Sequence, residues 1–356
     1  MSRNDATVTL IGQSKSGKTH YLAALLNHPA RVHDLLEGQN AVDSAVLEML
    51  TDEDEDRRMD RESLVTHYSN ILQGKDSFQG RNEGTDKARS YRARLELARS
   101  VEGRRGLLGG RTTSLRKEIT DFAIVDGRGG DLAPNQYDQD VKRDEVFQKR
   151  RREYREAVIR STGLVICLTI AQNEYDAAMG ARLLDEFRLA CELKQSSRDG
   201  VPFRNIALCL TKYETVMQGD GNLAGLRARE RDDFLDIARQ SAGVGQFAEL
   251  LRRGGFGGDF RTAVFPVSTF GFVNRTGAAN WYDYPWAAGL RTRAVEEYDY
   301  DNDELPGYRD HFPHPVSQQR ALNMWQPFNL APPMVFALTG RLTGPLHATI
   351  EDFNAA

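Results

Sequence analysis

A chain of 356 residues, 40% hydrophobic and 28% charged, can bury a sizeable core and fits one large α/β domain or a domain carrying insertions. Its formal charge of −4 gives no overall bias toward nucleic acid. No stretch approaches the roughly 18 to 20 apolar residues of a membrane span, and Met1-Ser2-Arg3-Asn4-Asp5 reaches the first strand too soon for a signal peptide. Three cysteines outline neither a disulfide framework nor a zinc site, so a soluble cytoplasmic protein is expected.

The first apolar run, Thr7-Val8-Thr9-Leu10-Ile11, predicts a strand. It leads directly into Gly12-Gln13-Ser14-Lys15-Ser16-Gly17-Lys18-Thr19, a complete G-x-x-x-x-G-K-[ST] loop. The glycines let the backbone wrap an anion, with successive N–H groups and the next helix's N-terminus aimed at the phosphates. Lys18 is placed to reach β and γ oxygens, and Thr19 to set its hydroxyl on Mg²⁺. The cradle comprises Gly12, Ser14, Lys15, Ser16, Gly17, Lys18, Thr19 and His20, and Tyr21 to Leu26 reads as the following helix.

Residues 28–82 form a polar insertion, densest at Asp52-Glu53-Asp54-Glu55-Asp56-Arg57-Arg58, and read as a solvated loop region. Ser90 to Leu97 alternates polar and apolar side chains, the pattern of a half-buried strand. A Gly/Arg-rich turn spans Gly103 to Arg111, and a second strand, Ile119 to Val125, ends at Asp126. The two are expected to form a hairpin beside the phosphate-loop strand. Beyond it, strands at Gly163 to Ile170, Asn205 to Leu210 and Ala263 to Val267 alternate with helical stretches. These are Arg143 to Arg160, Glu174 to Leu193 and two pieces between Leu226 and Arg253. The rhythm specifies a single α/β domain over residues 1–356: a mostly parallel sheet, helices on both faces, one antiparallel hairpin strand. Residues 274–322, with Trp281-Tyr282-Asp283-Tyr284-Pro285-Trp286 and an acidic-aromatic tract, break the rhythm as a C-terminal insertion before a last helix at Met334 to Leu338.

Three later segments carry chemistry. Asp126-Gly127-Arg128-Gly129 places a carboxylate at a strand end, where it can hold a water on Mg²⁺, and Gly129 lets a backbone N–H approach the γ-phosphate. Thr211-Lys212-Tyr213-Glu214 follows a buried strand. Carboxylate oxygens there can accept from guanine N1 and N2, a donor pair adenine lacks, while the Lys212 stem packs along the purine. Pro266-Val267-Ser268-Thr269-Phe270-Gly271 leaves another strand, with Ser268 and Thr269 near the base. All four motifs stand at carboxyl ends of strands, where open α/β sheets bind ligands.

This order resembles the translation-factor-related (TRAFAC) class of P-loop GTPases over most of residues 6 to 272. Within the class the chain is similar to the large bacterial proteins called double-GTPase-like, partly through Gln326-Pro327-Phe328-Asn329-Leu330-Ala331-Pro332-Pro333-Met334. The resemblance implies GTP or GDP as ligand, Mg²⁺, slow hydrolysis to GDP, and two switch segments that meet a protein effector or activating partner. It also expects a Mg²⁺-closing threonine before the second strand; Thr85 stands there, whereas Thr112 and Thr113 lie after that strand. Catalysis would then rest on Lys18, Thr85 and Gly129, and the metal on Thr19, Thr85 and, through water, Asp126. Two positions depart from the class: Glu214 replaces the usual Asp, and Gly130 stands where many members carry a water-orienting glutamine. Both leave room for a non-hydrolysing nucleotide-binding interaction subunit, or for an ATP-specific P-loop NTPase. Lys15 occupies a position where related GTPases carry a potassium-holding asparagine.

Lys149-Arg150-Arg151-Arg152, with Arg155 and Arg160, is interleaved with Asp144, Glu145, Glu153 and Glu156, so a salt-bridged exposed helix is expected rather than a nucleic-acid site. Arg104, Arg105 and Arg111 keep a turn soluble. His311 and His314 lack the further ligands a metal site needs.

Overall fold

The structure is a computed structural model that describes residues 6–12, 16–27, 44–50, 55–72, 89–105, 110–126, 145–170, 185, 187–189, 191–196, 203–253, 260–273, 325–344, 346–349 and 351–354. Among these, nine strands line up in the order β2-β3-β4-β1-β5-β6-β7-β8, with β9 also on β7. In chain order they are β1 (Ala6–Gly12), β2 (Ser44–Met49), β3 (Arg89–Arg105), β4 (Gly110–Asp126), β5 (Gly163–Thr169), β6 (Asn205–Thr211), β7 (Arg261–Val273), β8 (Trp325–Phe328) and β9 (Ala348–Thr349). Strands β4, β1, β5, β6 and β7 form a continuous parallel centre. The expectation of one antiparallel strand is too low, because β2 and β3 pair antiparallel on one side and β8 and β9 on the other. β2 and β8 gave little signal at six and four residues.

The central strands are uniformly apolar because both their faces are covered. Val165 and Cys167 of β5 and Ala207 and Cys209 of β6 pack with α1 (Lys18–Asn27), α2 (Glu55–Leu72) and a late helix, Ala331–Thr339. Leu164, Ile166 and Leu168, with Ile206, Leu208 and Leu210, face the opposite layer. That layer contains α3 (Glu145–Arg160), a helical stretch α4 within 185–196, α5 (Ala224–Arg227), α6 (Arg231–Gln240) and α7 (Ala242–Arg253). The late helix is α8, and α9 (Glu351–Asn354) follows β9. Gly163 shows how tightly α8 docks: a Cβ there would lie 2.4 Å from the Ala337 carbonyl oxygen. Across the sheet, the buried Lys194 ammonium donates to the Val158, Ile159 and Ser161 carbonyls at 3.2, 2.6 and 2.6 Å, capping the end of α3.

The segment expected as a solvated insertion contains β2 and α2. Of the charges that suggested a loop, Glu55, Arg57 and Arg58 are exposed on α2, as is Glu62, while Leu64 and Tyr68 enter the core beside Tyr91 and Leu22; residues 52–54 lie outside the described residues. The hairpin is also longer than its alternation indicated. β3 and β4 pair from Arg89↔Asp126 to Arg105↔Gly110, although β2 covers β3 only over 93–98 and β1 covers β4 only over 122–126. Pairing carries both strands into the glycines and arginines that had read as a turn. Thr112 and Thr113 pair with Gly103 and Glu102 at the far end of this ribbon, about 45 Å along an extended strand from Asp126. The expected insertion at 274–322, with Trp281, Trp286, His311 and His314, lies outside the described residues. No described helix is long and apolar enough to cross a membrane.

Candidate nucleotide site

The parallel strands end together. Gly12 sits opposite Cys167, Asp126 opposite Leu10, and Thr211 opposite both Thr169 and Val267, so the motif-bearing ends share one edge. Chain order is what brings them there: the strands after β4 continue on the other flank of β1, and such a reversal opens a crevice at the carboxyl ends.

The described ends of the loop after β1, Gly12 and Ser16 to Thr19, make close contacts with β5, β6 and β4. A Cβ at Gly12 would lie 2.7 Å from both the Cys167 carbonyl oxygen and Ser16 Oγ, so only glycine lets β1 pass this close to β5. Gly17 takes φ +82°, the left-handed turn that starts α1, and the Tyr21 N–H donates to its carbonyl at 2.8 Å. Lys18 is buried, its ammonium donating to the Gly12 carbonyl at 3.1 Å. Thr211 Oγ1 donates to Ser16 O at 2.6 Å and lies 3.2 Å from Leu168 O. Its hydroxyl thus links the Ser16 backbone to β5 and β6. Ser16 Oγ is buried without a protein partner. The first turn of α1 carries no acidic residue, so the helix dipole there favours an anion.

Thr19 Oγ1 donates to Asp126 Oδ2 at 3.2 Å, while Asp126 Oδ1 is buried without a partner. Burial raises the Asp126 carboxyl above the ordinary range, and Lys18, the Thr19 hydrogen bond, Arg89 and His67 pull it back. A hydroxyl and one carboxylate oxygen, beside a helix N-terminus suited to phosphate, form the kind of partial oxygen set through which Mg²⁺ binds with nucleotide and water. His20, the next residue of α1, meets His67 of α2, Nδ1 to Nε2, at 3.4 Å.

At the β6 and β7 ends, Glu214 is buried with Oε2 unpartnered. Burial lifts its carboxyl to about 7, against hydrogen bonds from Ser268 and from its own N–H and the charge of Lys212. The Ser268 hydroxyl accepts the Gly271 N–H at 2.7 Å, so it stands between a turn and the acid it supports. Lys212 is exposed at φ +60°, a left-handed conformation costing roughly 1–2 kcal/mol for a residue with a Cβ. Thr269 is half-buried beyond Ser268. A buried carboxylate with an open oxygen matches a ligand presenting two N–H donors.

Gly12, Ser16, Gly17, Lys18, Thr19 and Asp126 thus lie together at one end of this edge, where the sequence expects phosphates and a metal. Glu214 and Ser268 meet at a second position on the same sheet edge. Ser14, Lys15, Thr85, Gly129 and Gly130 lie outside the described residues. Arg89, Asp60, Ser63 and His67, which no sequence motif marks, gather near Thr19 and Asp126 from β3 and α2. Only α2's spacing, in which 60, 63, 64, 67 and 68 share a face, could have drawn notice to them.

No protein-family model matches the sequence, and no curated protein matches it. Comparison with solved structures finds the bacterial selenocysteine-specific elongation factor EF-Sec at 10% identity and TM-score 0.28, over 83% of this chain and 29% of that one. It also finds the SRb-GTP/SRX complex of the signal recognition particle receptor from Chaetomium thermophilum, at 14% identity and TM-score 0.32, over 80% of this chain and 97% of that one. The GTPase-like domain of S. cerevisiae Ski7, bound to GDP and inorganic phosphate, gives 9% identity and TM-score 0.30 over 83% and 51% of the two chains. The chain thus spans less than a third of the elongation factor and about half of the Ski7 chain.

Proposed function

We propose that this chain is a GTP-binding switch that hydrolyses GTP slowly to GDP and signals through nucleotide-dependent binding of a protein partner. The observation that carries the reading is the open, buried oxygen of Glu214 on the same sheet edge as the Lys18 and Thr19–Asp126 cluster. In this reading the loop N–H groups and Lys18 hold the phosphates, which frees the Lys18 ammonium from the Gly12 carbonyl. Thr19 and Asp126 organise the metal site, joined by Thr85. Mg²⁺, when bound, neutralises charge developing on the β and γ oxygens. Gly129 offers its N–H toward the terminal phosphate, and Lys15 adds positive charge at the loop. Glu214, oriented by Ser268, accepts both guanine donors, while Lys212 covers the purine and Thr269 stands at its edge. The unusual carboxylate length at Glu214 is compatible with this role because the acid is held by a buried serine.

A single domain, a cytoplasmic setting and a partner surface on the switch segments complete the proposal. All three cysteines are free and buried, which suits a reducing compartment. The test is a single-turnover measurement with γ-labelled GTP and Mg²⁺. Phosphate release above buffer, abolished by Lys18→Ala, is expected. Tight GTP binding with no release, alone or with partner-containing extract, would leave a non-hydrolysing interaction subunit.

A further inference from the structure

The metal end of the site is walled by α2, and that contact is charged. Arg89 opens β3 directly opposite Asp126 on β4, so the two side chains leave neighbouring strands on one face. They share that face with Tyr91, Ile124 and Phe122, which pack under α1 and α2. From α2, Ser63 Oγ accepts from Arg89 Nη1 at 2.7 Å, and the buried Asp60 carboxylate stands 3.8 Å from Arg89 Nε. Nε itself is buried and makes no hydrogen bond. One guanidinium therefore stands 3.8 Å from the buried Asp60 carboxylate, and its charge also acts on the buried Asp126 carboxyl across the strand pair. Leu64 and Tyr68 bury the same helix face, and His67 reaches His20 beside Thr19.

We infer that Arg89 is a positioning residue of the metal end: Asp60 and Ser63 draw its charge away from Asp126, and α2 docking thereby sets how readily Asp126 serves a divalent cation. The inference rests on the reading of Thr19 and Asp126 as the Mg²⁺ end of a nucleotide site. Its logic is competition. A guanidinium at Asp126 repels a metal ion and occupies the oxygen that the metal needs; at Asp60 it does neither. Neutralising Asp60 releases Arg89 toward Asp126, so metal affinity falls. Removing Arg89 eliminates the competitor, so metal affinity rises.

The experiment titrates Mn²⁺ into the full chain, with and without GDP, reading bound metal by water-proton relaxation rather than turnover. Asp60→Asn is expected to weaken Mn²⁺ binding and Arg89→Gln to strengthen it, each by on the order of three- to tenfold. Ser63→Ala should follow Asp60→Asn with a smaller shift, and serves if the charge variants fold poorly. In the Arg89→Gln background, Asp60→Asn should lose most of its effect, which a merely structural role would not produce. Shifts of one sign, unchanged metal affinity, or no Mn²⁺ binding in either state would overturn the inference. Failure of GDP to bind, with opposed Mn²⁺ shifts intact, would instead undo the nucleotide reading.

Discussion

At the scale of single residues, the site is a set of buried polar groups whose cost is only partly met inside the protein. Glu214 is the sharpest case. Its folded carboxyl sits at about 7 against an ordinary 4.5, so on acidification the folded state takes up the proton before the unfolded chain does. The Glu214 contribution to stability should therefore rise as pH falls from about 7 to about 4.5, by up to about 3 kcal/mol, and be constant outside that window. Glu214→Gln should remove this slope in urea melts and raise stability above pH 7. Gln offers only one acceptor oxygen and a donor amide, so the same change should erase preference for guanine. In the proposed role the ionised acid binds guanine, so calorimetry at pH 6 in buffers of different ionisation enthalpy should register release of up to one proton per nucleotide. Thr211→Val separates loop clamping from base reading. Loss of the bond to Ser16 O should cost about 1 kcal/mol of stability, and should weaken inorganic phosphate and nucleotide binding irrespective of the base.

At the scale of elements, buried strands announced themselves and docked charges did not. β5 and β6 were legible as unbroken apolar runs because both faces are covered, and α6 and α7 lie within the two helical pieces expected there. α2 was not legible, since among its described side chains Leu64 and Tyr68 are the buried hydrophobics, and its charges hide a helix that packs on α1. The ribbon's outer half was equally hidden: register, rather than residue preference, keeps Gly103 and Gly110 extended. The β5–α8 contact makes a direct prediction. Gly163→Ala puts a Cβ against the Ala337 carbonyl, and should cost about 1–3 kcal/mol in chemical denaturation by pushing α8 from the sheet. Leu64→Ala should raise amide exchange across 55–72 well above that of α1, by leaving a cavity under α2.

At the scale of the whole molecule, strand order converts scattered motifs into a site. Residues 12, 126, 211 and 268 are distant in sequence, yet four parallel pairings bring their strand ends to one edge. The proposed phosphate half was legible as an expectation because G-x-x-x-x-G-K-[ST] is a long, specific pattern. The base half could be placed only by order, and its support, from the Ser268 hydroxyl to Glu214, depends on a β6–β7 contact that no local pattern records. Arg89 and Asp60 were hidden for the same reason, since tertiary pairing alone makes them neighbours of Asp126. The most direct test of the central claim is displacement of a fluorescent GDP analogue from the purified chain by unlabelled GTP and ATP in Mg²⁺. The account predicts displacement by GTP at concentrations at least about a hundredfold below those for ATP, a gap set by the two guanine donors on Glu214. Equal displacement, or preference for ATP, would contradict it.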